Sequence, residues 1–181
     1  ESQLYTLTQF SHNKRIILKS RQQGMTTLAV AYNLDSCLFH PGFSAGIQSY
    51  GLDESKKLQL KAKLMWEEFD EDIRKALNIE LVINNAYGMR FSNGSLLRIG
   101  NFRGDTLQSL HVSELAKIAK KYPDKARELK TGAFQAIGKD NKIIIESTAE
   151  GKAGLFYELW QKAVAKKRIT DAAGAPLSPF D

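Results

Sequence analysis

Cysteine occurs once in the 181 residues, at Cys37. That excludes an internal disulfide and suits a reducing compartment. Histidine is almost as scarce: His12, His40 and His111 are scattered, and no Cys/His spacing of the zinc-site type is present. A metal held mainly by protein ligands is therefore not expected. No apolar run approaches the roughly 18 residues that a membrane span needs. The first residues also lack the basic, then apolar, then small-residue order of a secretory signal. No membrane partner is expected. Internal repeats and low-complexity tracts are missing too.

What is present is ordinary for a globular chain: 43% hydrophobic and 25% charged residues. The length suits one domain with its own core, or one domain with a small appendage. The net charge is +6, and it is unevenly placed. Residues 115–168 hold 13 Lys/Arg against 6 Asp/Glu, which leaves the remainder near neutral. Such a surplus fits either a solvated helical surface or a face that meets a polyanion such as DNA.

Hydrophobic periodicity alternates between two types along the chain. Arg15–Lys19, Phe43–Ser49, Leu110–Ser113 and Ile143–Ile145 read as short buried strands. Thr26–Leu38, Leu52–Phe69, Asp124–Ile137 and Leu155–Lys167 read as helices. The second has Leu60, Leu64 and Phe69 among its apolar positions. Between them, residues 79–100 change character, and Asn93-Gly94 marks a hairpin turn within a strand-turn-strand insertion. Strands alternating with helices predict a largely parallel sheet with helices on both faces. In such sheets ligands bind at the carboxyl ends of the strands, so the polar residues after each apolar run are the ones to weigh. The acidic run Asp70-Glu71-Asp72 follows a helix rather than a strand and is read as solvated, not as a two-metal nuclease site.

After the first strand comes Lys19-Ser20-Arg21-Gln22-Gln23-Gly24-Met25-Thr26-Thr27. A strand-to-helix loop of this kind can wrap an anion with backbone N–H groups at the positive end of a helix. Gly24 and Thr26 stand where the G-x-x-x-x-G-K-[ST] pattern has its second glycine and its Mg²⁺-binding hydroxyl. Met25 occupies the usual lysine position, and Lys19 the first glycine position. The chemistry needs a cation at the phosphates, and a long side chain from Lys19 can bring one, with Arg21 as a second.

Ser20–Thr27 resembles the ATPase-motor loop of viral terminase large subunits, which commonly reads S-R-Q-x-G-K-T-T and in some members carries its lysine at the loop's start. Several further expectations follow from that resemblance. A P-loop fold of the additional-strand type should end a second strand in an acidic pair, the first carboxylate holding Mg²⁺ through water and the second polarising the attacking water. Ser113-Glu114 is the candidate: Glu114 would be catalytic, and Ser113 would hydrogen-bond a water of the Mg²⁺ shell. Arg103, in Arg103-Gly104, matches an arginine that reaches a neighbouring subunit's nucleotide, with Arg98 as a weaker alternative. Ser147 and Thr148, after the third strand, match a coupling motif that senses the γ-phosphate. Tyr5 and Gln9 are candidates for adenine recognition.

The resemblance covers roughly residues 5–160. It implies an ATPase domain over 1–170 and a linker start over 171–181, with the nuclease domain of full terminase large subunits absent from this chain. It further implies Mg²⁺-dependent ATP hydrolysis that drives double-stranded DNA into a procapsid. Expected partners are ATP, DNA, a homo-oligomeric ring on a portal, and a small terminase subunit, in the cytoplasm of an infected cell. The alternatives are another P-loop nucleic-acid motor, or a non-hydrolysing DNA-binding module on a decayed P-loop scaffold.

Overall fold

A computed structural model describes residues 13–102, 106–134, 137–138 and 140–166. Its elements run β1 (Lys14–Leu18), α1 (Met25–Phe39), β2 (Ser44–Gln48), α2 (Leu52–Glu67), α3 (Glu71–Leu77), β3 (Leu81–Asn85), β4 (Gly88–Phe91), β5 (Leu96–Ile99), β6 (Ser109–Ser113), α4 (Leu115–Lys121), α5 (Pro123–Glu128), a wide helical turn at Leu129–Ala133, β7 (Lys142–Ser147) and α6 (Gly154–Lys166).

The seven described strands form one sheet in the order β1-β7-β6-β2-β5-β4-β3. The run from β1 to β5 is parallel, and β4 and β3 continue it antiparallel. The apolar runs end up here because a parallel sheet is covered on both faces and rewards β-branched residues. Alternation along β7 sends Ile143 and Ile145 to one face and Ile144 to the other. The first two pack with Leu115 and Ile118 of α4, Ala126 of α5 and Leu155, Phe156 and Leu159 of α6. Ile144 meets Ala29 of α1 on the opposite face. On that face Ala45, Ile47, Leu97 and Ile99 pack beneath α1 and α2. The expected α/β architecture is therefore present.

Two details differ from the sequence reading. The hairpin around Asn93-Gly94 does not stand apart from the sheet: β5 pairs in parallel with β2, so the segment widens the sheet itself. The turn closes through the Gly94 N–H, which donates to the Phe91 carbonyl at 3.0 Å, with Gly94 at φ 84. In α2 the buried stripe is Leu58, Ala62 and Trp66, while Leu60 and Leu64 are exposed. Position 62 carries only a methyl group, so the true i, i+4 face is less visible in sequence than the leucines beside it.

The acidic run at Asp70 is a helix cap. The Asp70 carboxylate accepts from the N–H groups of Asp72 at 2.9 Å and Ile73 at 3.1 Å. Among the described residues no cluster of His, Cys, Asp or Glu is arranged to hold a metal by itself. No described helix is long and apolar enough to cross a membrane.

What positions the site is the place of β7. It is the last described strand in the chain, yet it lies between β1 and β6. Its register sets Glu146 beside Ile17 on one side and Ser113 on the other. The ends of three strands distant in sequence thus lie side by side at one edge of the sheet.

Candidate active site

Lys19 leaves β1 anchored to β7, its N–H donating to the Ser147 carbonyl at 3.0 Å. The loop then turns through two left-handed residues, Gln22 at φ 60 and Gly24 at φ 70. A side chain in that region carries a steric cost of about 1 kcal/mol, which glycine avoids. The turn aims the first residues of α1 at a cavity of about 450 Å³, whose wall includes Gln22, Gln23, Gly24, Met25, Thr26 and Thr27.

The Lys19 side chain runs from the start of the loop to the inner end of this cavity. Its ammonium lies 2.9 Å from Glu114 Oε1 and 3.0 Å from Glu146 Oε2, with only 9% of the side chain exposed. It also donates to Thr26 Oγ1 at 3.3 Å. Burial alone would lower its pKa, but the carboxylates of Glu146 and Glu114 outweigh that and raise it. Lys19 is therefore a charged group inside the site.

Glu146 is fully buried. Its Oε1 accepts from the Thr26 hydroxyl at 3.0 Å and lies 3.3 Å from His111 Nε2. Burial pushes this carboxyl up, yet its interactions with His111, a hydrogen bond from Ser113 and the nearby Lys19 charge prevail, bringing it to about 2. It is a carboxylate kept ionised behind the cavity wall.

Glu114 follows β6 in a left-handed conformation, φ 58 and ψ 46, held by its own N–H, which donates to the Glu146 carbonyl at 2.7 Å. Backbone held in this region against its preference is often found where a side chain must be aimed. Here it carries the carboxylate to the cavity wall. Glu114 Oε2 accepts from the Thr148 hydroxyl at 3.0 Å and lies 3.3 Å from Lys117 Nζ. Burial raises the Glu114 carboxyl, and the Lys19 bond and charge more than reverse this, leaving it lowered.

Lys19, Thr26, Ser113, Glu114 and Thr148 are thus brought together from the residues singled out in the sequence. Ser147 takes another part: its hydroxyl accepts from the Ala116 N–H at 3.1 Å and donates to the Thr148 carbonyl at 2.9 Å, tying β7 to the start of α4. Ser20 and Arg21 are exposed and do not line the cavity. Arg98 stacks over the Phe102 ring at 5.5 Å. Tyr5, Gln9, Arg103 and Gly104 lie outside the described residues.

Four residues escaped the sequence reading as parts of this site. Glu146 and His111 lie buried behind the cavity wall, Glu146 against Lys19 and Thr26, and Lys117 flanks Glu114. Lys61 reaches over from α2 to donate to Thr27 Oγ1 at 3.0 Å. Only tertiary contact marks them, since a strand glutamate and helix lysines carry no local signal.

The oxygen donors fit a hard cation such as Mg²⁺. That ion keeps several waters and takes one or two carboxylates plus substrate phosphates rather than an all-protein cage. The hydroxyls of Thr26 and Ser113, with the carboxylates of Glu114 and Glu146, supply a set of that kind.

Solved structures of similar fold share this arrangement of elements. The ATPase domain of the large terminase of Thermus phage P74-26 matches with a TM-score of 0.62 and 18% identity, over 88% of this chain and 68% of that one. The large terminase of bacteriophage HK97 matches with a TM-score of 0.58 and 12% identity, over 87% of this chain and 33% of that one. The N-terminal domain of the DNA packaging ATPase of bacteriophage phi29 matches with a TM-score of 0.55 and 11% identity, over 87% and 84%. The chain has the fold of phage large-terminase ATPase domains. By sequence, no family model and no curated protein matches it. The match takes in 33% of the HK97 terminase, so this chain corresponds to one part of that longer protein.

Proposed function

We propose that this chain is the ATPase motor domain of a terminase large subunit, binding ATP with Mg²⁺ in the cavity beside Gly24 and hydrolysing it to move double-stranded viral DNA into a procapsid. The observation that carries this reading is the convergence of the Lys19 ammonium, the Thr26 hydroxyl and the Glu114 carboxylate at one end of that cavity. A cation, a metal-binding hydroxyl and a base are what phosphoryl transfer to water requires.

Each residue has a role that follows from its contacts. Backbone N–H groups from Gln22 to Thr27 hold the phosphates, with the helix dipole of α1 behind them. Lys19 exchanges its carboxylate partners for phosphate oxygens, supplying the charge that Met25 cannot. Glu114, released from Lys19, orients the attacking water, with Thr148 fixing its second oxygen. Thr26 directly, and Ser113 through water, would help to hold Mg²⁺, which would supply charge neutralisation at the phosphates. Arg103 acts across a subunit boundary, and Gln9 reads the adenine.

DNA contact is assigned to the exposed lysines and arginines of α4 to α6, among them Lys120, Lys121, Arg127, Lys130 and Lys162. Such binding is directed at phosphates, tolerant of sequence and weakened by salt. The intact motor would be a ring on a portal, served by a small terminase subunit, in the infected cell's cytoplasm.

The test is ATP turnover in wild type beside Lys19→Ala and Glu114→Gln. Glu114→Gln should keep nucleotide binding and lose turnover, while Lys19→Ala should lose both. Equal turnover in all three would refute the site. Nucleotide binding without any wild-type turnover would favour the non-hydrolysing module instead.

A further inference from the structure

A P-loop hydroxyl can serve a cation only if its single proton is directed elsewhere, leaving lone pairs free for the metal. The acceptor of that proton is therefore a defining member of the site. In this chain it is Glu146: the Thr26 hydroxyl donates to Glu146 Oε1 at 3.0 Å. The other side of the same hydroxyl already faces a cation, since the Lys19 ammonium donates to Thr26 Oγ1 at 3.3 Å.

The strand position from which a carboxylate would ordinarily do this is the end of β6, where Ser113 stands. A neutral hydroxyl cannot supply a negative charge. Ser113 and Glu146 are, however, direct register partners on neighbouring strands. Residues paired in this way present their side chains on the same face of the sheet a few ångströms apart. The missing charge is present, one strand over.

We propose that Glu146 supplies from β7 the negative charge that Ser113, a neutral hydroxyl, does not supply from β6, accepting the Thr26 proton and, beside Ser113, holding water of the Mg²⁺ shell. Its surroundings suit that task. The side chain is fully buried, so its position is set by packing rather than by solvent. His111 Nε2 approaches the same Oε1 at 3.3 Å and fixes the carboxylate's orientation. Glu146 is a positioning residue, acting through Thr26 and water, and the assignment rests on the nucleotide site proposed above.

The experiment reads metal affinity apart from turnover. Mn²⁺ serves as the probe, titrated by electron paramagnetic resonance into protein saturated with a non-hydrolysable ATP analogue. The analogue's affinity in EDTA is measured alongside. Wild type, Glu146→Gln, Ser113→Asp and the double variant Ser113→Asp/Glu146→Gln are compared. Loss of an outer-shell partner weakens metal binding by about 10- to 100-fold. Glu146→Gln should show at least the lower figure, with analogue affinity in EDTA little changed. The double variant, which returns a carboxylate to β6, should recover most of the Mn²⁺ affinity. Should the single variant fail to fold, recovery in the double variant alone carries the test, since a purely structural glutamate would not be replaced from Ser113. Unchanged Mn²⁺ affinity in Glu146→Gln overturns the proposal, as does a folded double variant that binds Mn²⁺ no better than Glu146→Gln. Failure of wild type to bind the analogue at all overturns the nucleotide site itself, and this assignment with it.

Discussion

Thr148 and Glu114 are joined twice: the threonine hydroxyl donates to Glu114 Oε2 at 3.0 Å, and the threonine N–H approaches the same oxygen at 3.4 Å. The segment after β7 is thereby tied to the carboxylate that faces the cavity. Movement of either is felt by the other. Thr148→Ala should reduce ATP turnover about tenfold, the equivalent of one hydrogen bond to a charged group. Thr148→Ser should restore most of it. Steady-state kinetics on the two variants, with analogue affinity as the control, checks this.

Glu114→Gln keeps the shape of the side chain and removes its basicity. A positioned general base contributes roughly 10²–10⁴-fold. Turnover should fall within that range, while the affinity for ATP stays within a few-fold of wild type. Single-turnover measurements at saturating ATP would separate the chemical step from binding.

Lys19→Met should both unseat the nucleotide and weaken the fold. The ammonium sits between two carboxylates, and its removal leaves Glu146 buried without its cation. Breaking a buried pair in this way costs about 3–5 kcal/mol. A urea titration should show that loss in the absence of any ligand. Lys19→Met/Glu146→Gln, which removes both charges, should recover part of it.

The stability of the nucleotide-free protein should fall steeply in acid. The Glu146 carboxyl lies at about 2 in the folded state against 4.5 for the free side chain. A depressed carboxyl stabilises the fold above its unfolded value, and that contribution disappears as pH drops through the folded value. The window is therefore roughly pH 4.5 down to 2, and the contribution is on the order of 3 kcal/mol. Glu146→Gln should be less stable at neutral pH and nearly flat across that window. Thermal melts at several pH values would show whether the two curves converge in acid.

At the far edge of the sheet, Gly88 has φ 145, and a Cβ there would press on the Leu97 backbone carbonyl. Backbone cannot yield as a side-chain tip does. Gly88→Ala should cost about 2 kcal/mol or more. Because the cavity lies elsewhere, the folded fraction should retain full nucleotide affinity. Chemical denaturation followed by analogue binding below the transition tests both parts.

Much of the architecture was legible in the residue pattern, because short β-branched runs and polar breaks report their own neighbourhood. Arg15–Lys19 and Ile143–Ile145 overlap the observed β1 and β7, and the lysine ahead of the glycine turn does point into the cavity. What the pattern could not convey depends on register and helical phase. Glu146 follows the apolar run of β7 without any local sign that it would sit beside Ser113 and meet Lys19 and Thr26. Leu60 and Leu64 looked like core because size is visible in sequence and orientation is not. The choice of Thr148 over Ser147 as the residue facing Glu114 is likewise a matter of which way the chain turns after β7.

The late strand set between two earlier ones has a consequence for how the site is completed. The strand that β1 pairs with is β7, more than a hundred residues further along the chain. Pairings this distant are entropically slow to form. Lys19 therefore meets the buried carboxylate of Glu146 only once β7 has taken its place between β1 and β6. The pocket's charges are thus completed by a long-range pairing and not by the loop's own neighbourhood.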